Sequence, residues 1–267
     1  MILLDLKIGN TSLIKYDDIY IKKESDNLTG SIKDRSAYEI ISRNLDPSKT
    51  IVICTSGNMG ISFSRLCEYY KQPLIVVMPR NEVKKKIIEN RYTKVIETDI
   101  EKGIRGAMKE FQKYRYDLQY KLINQFNTLY NPLGYFPLVK EIIKEFKELD
   151  YVICGVGTGG TYYTLSKVLK KLYPKVLVLG VTTFQNEIID GIGSNYHGFI
   201  YREINTKNIY SIKREDALNE YNITTKEGYN FGLSTCACIV LKKQLDLKGT
   251  ILIINADGAD KYTEYLC

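Results

Sequence analysis

Short runs of apolar residues alternate along most of the chain with segments in which apolar residues recur every three or four positions. The short runs are typical of buried strands, and the longer spacing is typical of helices with one buried face. Strands that alternate with helices predict a parallel sheet covered by helices, and therefore an α/β fold. The runs predict strands over residues 19–23, 50–54, 74–78, 94–97, 151–154, 176–181 and 250–255.

The same pattern predicts helices between these strands. One predicted helix contains three consecutive lysines, residues 84–86, which we interpret as its solvent-facing side, with Val83, Ile87 and Ile88 on the buried side. The helical spacing covers residues 31–41, 61–67, 82–90, 100–114, 138–146, 162–171, 214–221 and a segment that begins at residue 232.

With 267 residues, 44% of them apolar, the chain has enough material for one large domain or two small ones. Its net charge of +7 comes from basic residues spread over helix-like segments rather than gathered in an arm. This distribution argues against a nucleic-acid partner, although a mild positive field favours anionic substrates. No apolar stretch reaches membrane length. We therefore expect a cytoplasmic protein without a membrane partner.

The cysteines and the histidine exclude several kinds of site. Six cysteines are scattered without the paired spacing of a disulfide framework, which favours a reducing compartment. The pair in Cys236-Ala237-Cys238 has no second pair to complete a zinc site, so core packing is the better interpretation. The single histidine, His197, nearly excludes histidine triads and two-histidine metal sites. We expect no metal cofactor.

One lysine, Lys33, stands out by its surroundings. Most lysines are solvated surface charges. Lys33, however, follows the turn and N-cap residues Thr29-Gly30-Ser31, which places it in the first turn of a predicted helix. The partial positive charge of a helix N-terminus favours the neutral amine that can attack a carbonyl. We interpret Lys33 as the covalent anchor of a cofactor, with Asp34 and Arg35 available for structural ion pairs.

Two loops that follow predicted strands could bind ligands. Residues 55–60, Thr-Ser-Gly-Asn-Met-Gly, come after strand 50–54, at the sheet edge where α/β proteins bind ligands, but an ordinary turn explains them too. Residues 155–161, Gly-Val-Gly-Thr-Gly-Gly-Thr, lie between a strand and a helix, where backbone N–H groups can hold a phosphate. A tight turn or a dinucleotide site are the alternatives. No acidic residue follows at the spacing that a dinucleotide site requires.

Together, these stretches resemble the cysteine synthase and cystathionine β-synthase family of pyridoxal-phosphate enzymes, the fold type II group related to tryptophan synthase β. The similarity runs in order over nearly the whole chain. It implies two three-layer α/β domains with mainly parallel sheets and the cofactor in the cleft between them. The segments that carry the resemblance are residues 8–11, 29–35, 55–60, 125–126, 157–161, 191–193 and 227–235.

The resemblance also implies how the chain is divided. A smaller domain, residues 36–132, would carry the substrate loop, and its mobility is left open. A larger domain, residues 1–35 plus 133–267, would bind the cofactor phosphate. Relatives are commonly dimers, so we expect a homodimer.

The resemblance further implies a role for each residue of the site. Lys33 would hold pyridoxal 5'-phosphate as a Schiff base and then act as the base at the substrate Cα. Asn58 would hydrogen-bond the ring hydroxyl. The cofactor phosphate would be bound by Gly157, Thr158, Gly159, Gly160 and Thr161. The amino-acid substrate would be bound by Thr55, Ser56, Gly57, Asn58, Met59, Gln125 and Gly191.

The sequence departs from the family pattern at several positions. Met59 replaces a threonine, so a hydroxyl for the substrate carboxylate is missing and a thioether is expected to face the pocket. Gly258 stands where relatives have a serine that contacts the pyridine nitrogen, with Asp257 adjacent. Asp257 either bonds that nitrogen and favours its protonation, or caps a turn. Both remain open.

The implied activity is β-replacement on O-acetylserine, O-phosphoserine, serine or cysteine, through an α-aminoacrylate, with sulfide, a thiol, an amine or water as the nucleophile. With cysteine and water, the same site would release hydrogen sulfide and leave serine. One alternative is β-elimination to an oxo acid, as in serine/threonine dehydratases and cysteine desulfhydrases. Another is a degenerate cofactor binder that acts through a partner protein.

Overall fold

A computed structural model of the chain describes residues 6–55, 57–193 and 198–261. Within these ranges the strands form two sheets, one of six strands and one of four. The strands are β1 (Leu13–Tyr16), β2 (Ile19–Lys23), β3 (Thr50–Cys54), β4 (Leu74–Pro79), β5 (Thr93–Thr98), β6 (Tyr120–Ile123), β7 (Tyr151–Gly155), β8 (Leu177–Thr183), β9 (Ile209–Ile212) and β10 (Ile251–Asn255).

The strand order is β1-β2-β10-β7-β8-β9 in the larger sheet and β5-β4-β3-β6 in the smaller one. All three pairings in the smaller sheet are parallel. In the larger sheet β1 and β2 pair antiparallel and the other strands pair in parallel. These pairings confirm the predicted α/β class with mainly parallel sheets.

Helices make the crossovers that parallel neighbours require. In chain order they are α1 (Lys33–Ser42), α2 (Asn58–Tyr69), α3 (Glu82–Ile88), α4 (Gly103–Phe111), α5 (Tyr130–Leu133), α6 (Phe136–Glu145), α7 (Gly160–Leu172), α8 (Phe199–Arg202), α9 (Arg214–Lys226) and α10 (Leu233–Gln244). Short 3₁₀ helices lie at Glu24–Asp26, Ile100–Lys102, Gln112–Tyr114, Thr206–Asn208 and Ala259–Lys261. None of the helices in the described ranges is long and apolar enough to cross a membrane.

Each sheet is covered by helices on both faces. Apolar residues of α1 and α2 pack on one face of the smaller sheet, and residues of α4 pack on the other. The larger sheet lies between α9 and α10 on one face and α6 and α7 on the other. Because both faces are buried, strands such as β3 and β10 are continuous apolar runs rather than alternating ones. These two three-layer units match the predicted architecture.

The proposed domain limits stay a prediction. The smaller sheet spans residues 50–123, inside the predicted range 36–132. Helix α1 begins at Lys33 and packs against α2 of that unit. It therefore packs with the smaller sheet already from its first turn.

The interpretation of the lysine run was wrong in part. Ile88 is fully buried as expected, but Val83 and Ile87 are exposed, at 38% and 55%. Helix α3 is only seven residues long and therefore buries little of its surface. Lys84 is not solvated either, since its side chain is only 13% exposed and forms an ion pair with Asp190.

A buried ion-pair cluster fixes the start of α1. The Arg35 guanidinium donates hydrogen bonds to both carboxylate oxygens of Glu24 and to both of Glu141 on α6. Lys22 on β2 pairs with Glu141 at 2.8 Å. Burial alone would raise the pKa of Glu141, but the hydrogen bonds and charge of Arg35, together with Lys22, outweigh it and lower that pKa to about 2. The cluster thereby ties the lysine helix to the larger sheet.

Candidate active site

A cleft opens where the glycine loop after β7, the start of α1 and the start of α2 meet. Its empty volume is about 510 Å³, including the opening to solvent. The lining residues are Ile32, Lys33, Asn58, Cys154, Gly155, Gly157, Thr158, Gly159, Gly160, Thr161, Gly191, Ile192, Ser234, Ile254, Ala256 and Asp257.

Lys33 is the first residue of α1 and is half-buried at this cleft. The preceding residues are fastened to the end of β10, since Ile32 N–H donates to the Ala256 carbonyl at 2.8 Å and Ser31 forms a bridge with Asp257. Asp34 accepts hydrogen bonds from the N–H and the hydroxyl of Thr29, both at 2.7 Å, which closes the turn in front of the lysine. The amine is therefore held on a rigid helix start beside residues 157–161.

Gly157 and Gly160 of the glycine loop leave no room for a side chain. A methyl group on Gly157 would lie 2.3 Å from the Gly191 carbonyl oxygen, and one on Gly160 would lie 2.5 Å from Asn131 Oδ1. Gly159 precedes α7 with φ of +89°, a conformation that glycine adopts without strain. The loop thus presents backbone N–H groups at the positive end of a 13-residue helix, which is an arrangement that binds phosphate.

Replacing Gly157 with alanine should weaken binding of a phosphate-bearing cofactor. Overpacking of this kind costs about 1–3 kcal/mol, which corresponds to about 5- to 150-fold in the dissociation constant. Gly57→Ala is the matched control, because its methyl group would lie in ordinary contact, 3.7 Å from Lys84 Nζ. Titration of each apoprotein with pyridoxal phosphate measures the difference. Equal affinities for the two variants would contradict this account of the loop.

Asn58 and Asp257 meet at the cleft from different units. Asn58 is the first residue of α2, and its Nδ2 donates to Asp257 Oδ2 at 2.6 Å. Asp257 is only 3% exposed and lines the cleft. Gly258 is outside the lining residues, and a side chain there would meet Asp260 and Asn230. The structure thus brings Asp257, and not Gly258, next to Lys33 and Asn58.

Apart from Gly191, the described residues that were predicted to bind the substrate lie at the carboxyl end of the smaller sheet. Thr55 is buried directly after β3, and Gly57 N–H donates to its hydroxyl at 3.3 Å. Gln125 is buried after β6, and its Nε2 donates to the Cys54 carbonyl at 3.1 Å. Gly191 lines the cleft from the larger sheet. Ser56 lies outside the described residues.

Met59 is placed differently from the expectation. It is 3% exposed and packs in the core formed by α1, α2 and the smaller sheet. It is outside the set of described residues that line the cleft. Because the Met59 thioether lies in that core, the loop offers the substrate the N–H groups at the start of α2 rather than a further side-chain hydroxyl.

Asn131 is a site-supporting residue that the sequence did not reveal. It is fully buried, and its Nδ2 donates to the Gln125 carbonyl at 2.8 Å and to Thr158 Oγ1 at 3.1 Å. It therefore joins the predicted substrate side to the phosphate loop. The Asn-Pro pair predicts only a turn, whereas the structure has the short helix α5 there. A side chain that bridges two distant loops leaves no local pattern in a sequence.

The chemistry of the lining residues narrows what the cleft can do. Burial raises the pKa of the Cys154 thiol to about 12, so this cysteine remains protonated and is a poor nucleophile. The described residues contain no group of His, Cys, Asp and Glu that could hold a metal ion. Among the described lining residues, the Lys33 amine, the glycine loop for a phosphate and the Asn58 amide are then available for chemistry.

The model of a family described as pyridoxal-phosphate dependent enzymes matches residues 4–255. The chain belongs to this family. The enzyme is 29% identical over 283 residues to cysteine synthase B of Campylobacter jejuni, a match that covers 96% of this chain and 94% of the relative.

Solved structures agree with this assignment. An O-acetylserine dependent cystathionine beta-synthase from Helicobacter pylori superposes with a TM-score of 0.88 at 26% identity, covering 99% of this enzyme and 98% of that chain. A hydrogen sulfide-producing enzyme from Fusobacterium nucleatum gives a TM-score of 0.87 at 27% identity, with 97% and 98% covered. These similarities confirm the predicted fold type II architecture.

The residues present fit the cofactor. Pyridoxal phosphate has an aldehyde that reacts with a lysine amine and a phosphate that suits a helix N-terminus. Lys33 and the close-packed glycines of residues 157–161 provide these two partners at one cleft. The enzyme is accordingly a pyridoxal-phosphate enzyme of cysteine synthase-like type, and the predicted cofactor is confirmed.

Proposed function

We propose that this enzyme exchanges the β-substituent of a serine- or cysteine-type amino acid for a small nucleophile. The observation that carries the proposal is the meeting of Lys33, the glycine loop and the start of α2 at one cleft. Relatives with the same architecture are named cysteine synthase, O-acetylserine dependent cystathionine beta-synthase and hydrogen sulfide-producing enzyme. Each of the three names refers to a sulfur compound: cysteine, cystathionine or hydrogen sulfide.

Each residue has a defined task in this proposal. Pyridoxal phosphate, when bound, supplies the electron sink that weakens the bonds at the substrate Cα. Lys33 Nζ would hold the cofactor aldehyde, and its amine is the base that would take the proton from the substrate Cα. Thr158, Thr161 and the N–H groups of Gly157, Gly159 and Gly160 bind the phosphate.

The remaining residues orient the substrate and the ring. Thr55, Ser56, Gln125 and the N–H groups of Gly57 and Met59 bind the α-carboxylate, because hydrogen bonds to a charged acceptor are the stronger kind. Gly191 shapes the opposite wall. Asn58 bonds the ring hydroxyl, and Asp257 beside it provides an anion that favours a protonated ring.

An observation also bears on the non-enzymatic alternative. A degenerate binder would be expected to lose the residues that position the proton-transferring amine. Here the helix start that carries Lys33 is anchored by Ile32, Asp34 and Arg35. The structure therefore supports the enzymatic interpretation over a degenerate one.

The test is a panel of substrates. The purified holoenzyme is mixed with O-acetylserine, O-phosphoserine, L-serine or L-cysteine, each with and without sulfide or a thiol, and cysteine, serine, sulfide and pyruvate are assayed. We expect a replacement product whose amount depends on the nucleophile, or serine and sulfide from cysteine in water. Pyruvate as the main product without an added nucleophile would show β-elimination instead.

A further inference from the structure

Lys84 joins the two units through an ion pair next to residues that line the cleft. Its Nζ lies 2.8 Å from Asp190 Oδ2, and its side chain is only 13% exposed although lysine is normally solvated. Asp190 immediately precedes Gly191, which lines the cleft from the larger sheet. Lys84 belongs to α3 on the smaller sheet, and its backbone N–H is capped by Asn81 Oδ1 at 2.8 Å.

The same ammonium also lies close to the loop that is proposed to bind the substrate carboxylate. A methyl group on Gly57 would be 3.7 Å from Lys84 Nζ, and Gly57 is the residue that precedes α2. Two sources of positive potential, the 12-residue helix α2 and the Lys84 ammonium, therefore converge on one loop. Asn58, the next residue, lines the cleft.

This positive charge has a counterpart in the substrate. An amino acid brings an α-carboxylate to the loop, and the Met59 side chain of that loop packs in the core. Thr55 and the loop N–H groups are neutral donors. A cation within reach of Gly57 therefore offers a charge that these donors lack.

We propose that Lys84 is a specificity-determining residue that stabilises the α-carboxylate of the substrate, for which the Asp190 carboxylate is the resident competitor. The inference rests on the proposed function, since it assumes an amino-acid substrate bound by residues 55–59. Because the Asp190 side chain is 42% exposed, solvent weakens its attraction for the Lys84 ammonium. The Lys84 ammonium has three N–H donors, so it can bond the Asp190 carboxylate and the substrate carboxylate at the same time.

The test compares variants of the holoenzyme by titration with L-serine and with L-serinamide, which lacks the carboxylate, while the visible absorbance of the cofactor is followed. Lys84→Gln should weaken L-serine binding about 10-fold or more, as expected for the loss of a charged hydrogen bond, and should leave L-serinamide binding unchanged. Lys84→Arg should restore most of the affinity. Lys86→Gln, on the exposed side of the same helix, should match the wild type.

Asp190→Asn separates carboxylate binding from a purely structural bridge. If Lys84 binds the substrate, removal of the competing carboxylate leaves L-serine affinity equal to or higher than that of the wild type. If the ion pair only fastens the two walls, Lys84→Gln and Asp190→Asn will weaken L-serine and L-serinamide binding alike, which refutes the inference.

The failure of the inference is distinguishable from failure of the proposed function. An enzyme that takes up the cofactor and converts an amino acid, yet shows unchanged L-serine affinity in Lys84→Gln, contradicts the inference alone. A wild-type holoenzyme that responds to none of the amino acids in the substrate panel refutes both.

Discussion

Lys33→Ala is expected to abolish covalent attachment of the cofactor and to lower turnover by about 10²- to 10⁴-fold or more, because one amine both holds the aldehyde and moves the Cα proton. Among the described residues that line the cleft, Lys33 is the one with a side-chain amine, so another lining residue cannot take over its role. Borohydride reduction followed by peptide mapping should locate the cofactor on Lys33 in the wild type. The variant should show no reduced adduct and an altered visible spectrum.

Lys86→Ala is the control for this measurement. Lys86 is exposed on α3, so its loss should change neither the adduct nor the turnover. A reduced adduct that persists in Lys33→Ala, or that maps to another lysine of the wild type, would overturn the assignment of the cofactor anchor. Addition of an external amine is a further check, because a small amine that partly restores turnover would show that only the side-chain base is missing.

Arg35→Met should destabilise the fold by about 3–5 kcal/mol, since it leaves the buried Glu24 carboxylate without its cation and leaves Glu141 with Lys22 alone. Glu24 is fully buried, and Glu141 is 12% exposed. Urea unfolding of the apoprotein measures the free-energy change. The matched control is Arg43→Met at the C-cap of the same helix, where Arg43 is 52% exposed and pairs with Glu39, so that a loss of about 1 kcal/mol or less is expected. Similar losses for both variants would contradict this prediction.

The same cluster predicts how stability depends on pH. The pKa of Glu141 is lowered from 4.5 to about 2 in the folded protein. A depressed carboxyl pKa contributes stability that is fully present above the unfolded value and is lost as the pH falls through the folded value. Unfolding free energies should therefore decrease between about pH 4.5 and pH 2. Arg35→Met should flatten this decrease, because the cation that depresses the pKa is gone.

Much of the fold is visible in local patterns. The strands at residues 19–23 and 50–54 coincide with β2 and β3, because a strand buried on both faces is a short apolar run bounded by turn residues. The helix start before Lys33 follows from the small polar residues ahead of it. Three strands were missed, β1, β6 and β9, each of four residues at a sheet edge with little burial, since an edge strand carries a weak apolar signal.

The helix after the lysine run shows the limit of such patterns. Val83 and Ile87 have the spacing of a buried face, yet both are exposed, because a seven-residue helix at the edge of the unit has little to pack against. Met59 shows the same limit at the site. Its position in a motif predicted a thioether in the pocket, while packing directed the side chain into the core.

By itself the sequence determined the α/β class and predicted a cofactor lysine and a phosphate loop, since each depends on neighbouring residues: apolar periodicity, a helix start and a run of glycines. Only the tertiary structure decided which distant groups meet at the cleft. Asp257 reaches Asn58 across 199 positions, and Lys84 reaches Asp190 across 106. Such contacts depend on how two sheets pack together, and that packing is set by the shape of whole buried surfaces rather than by any short segment.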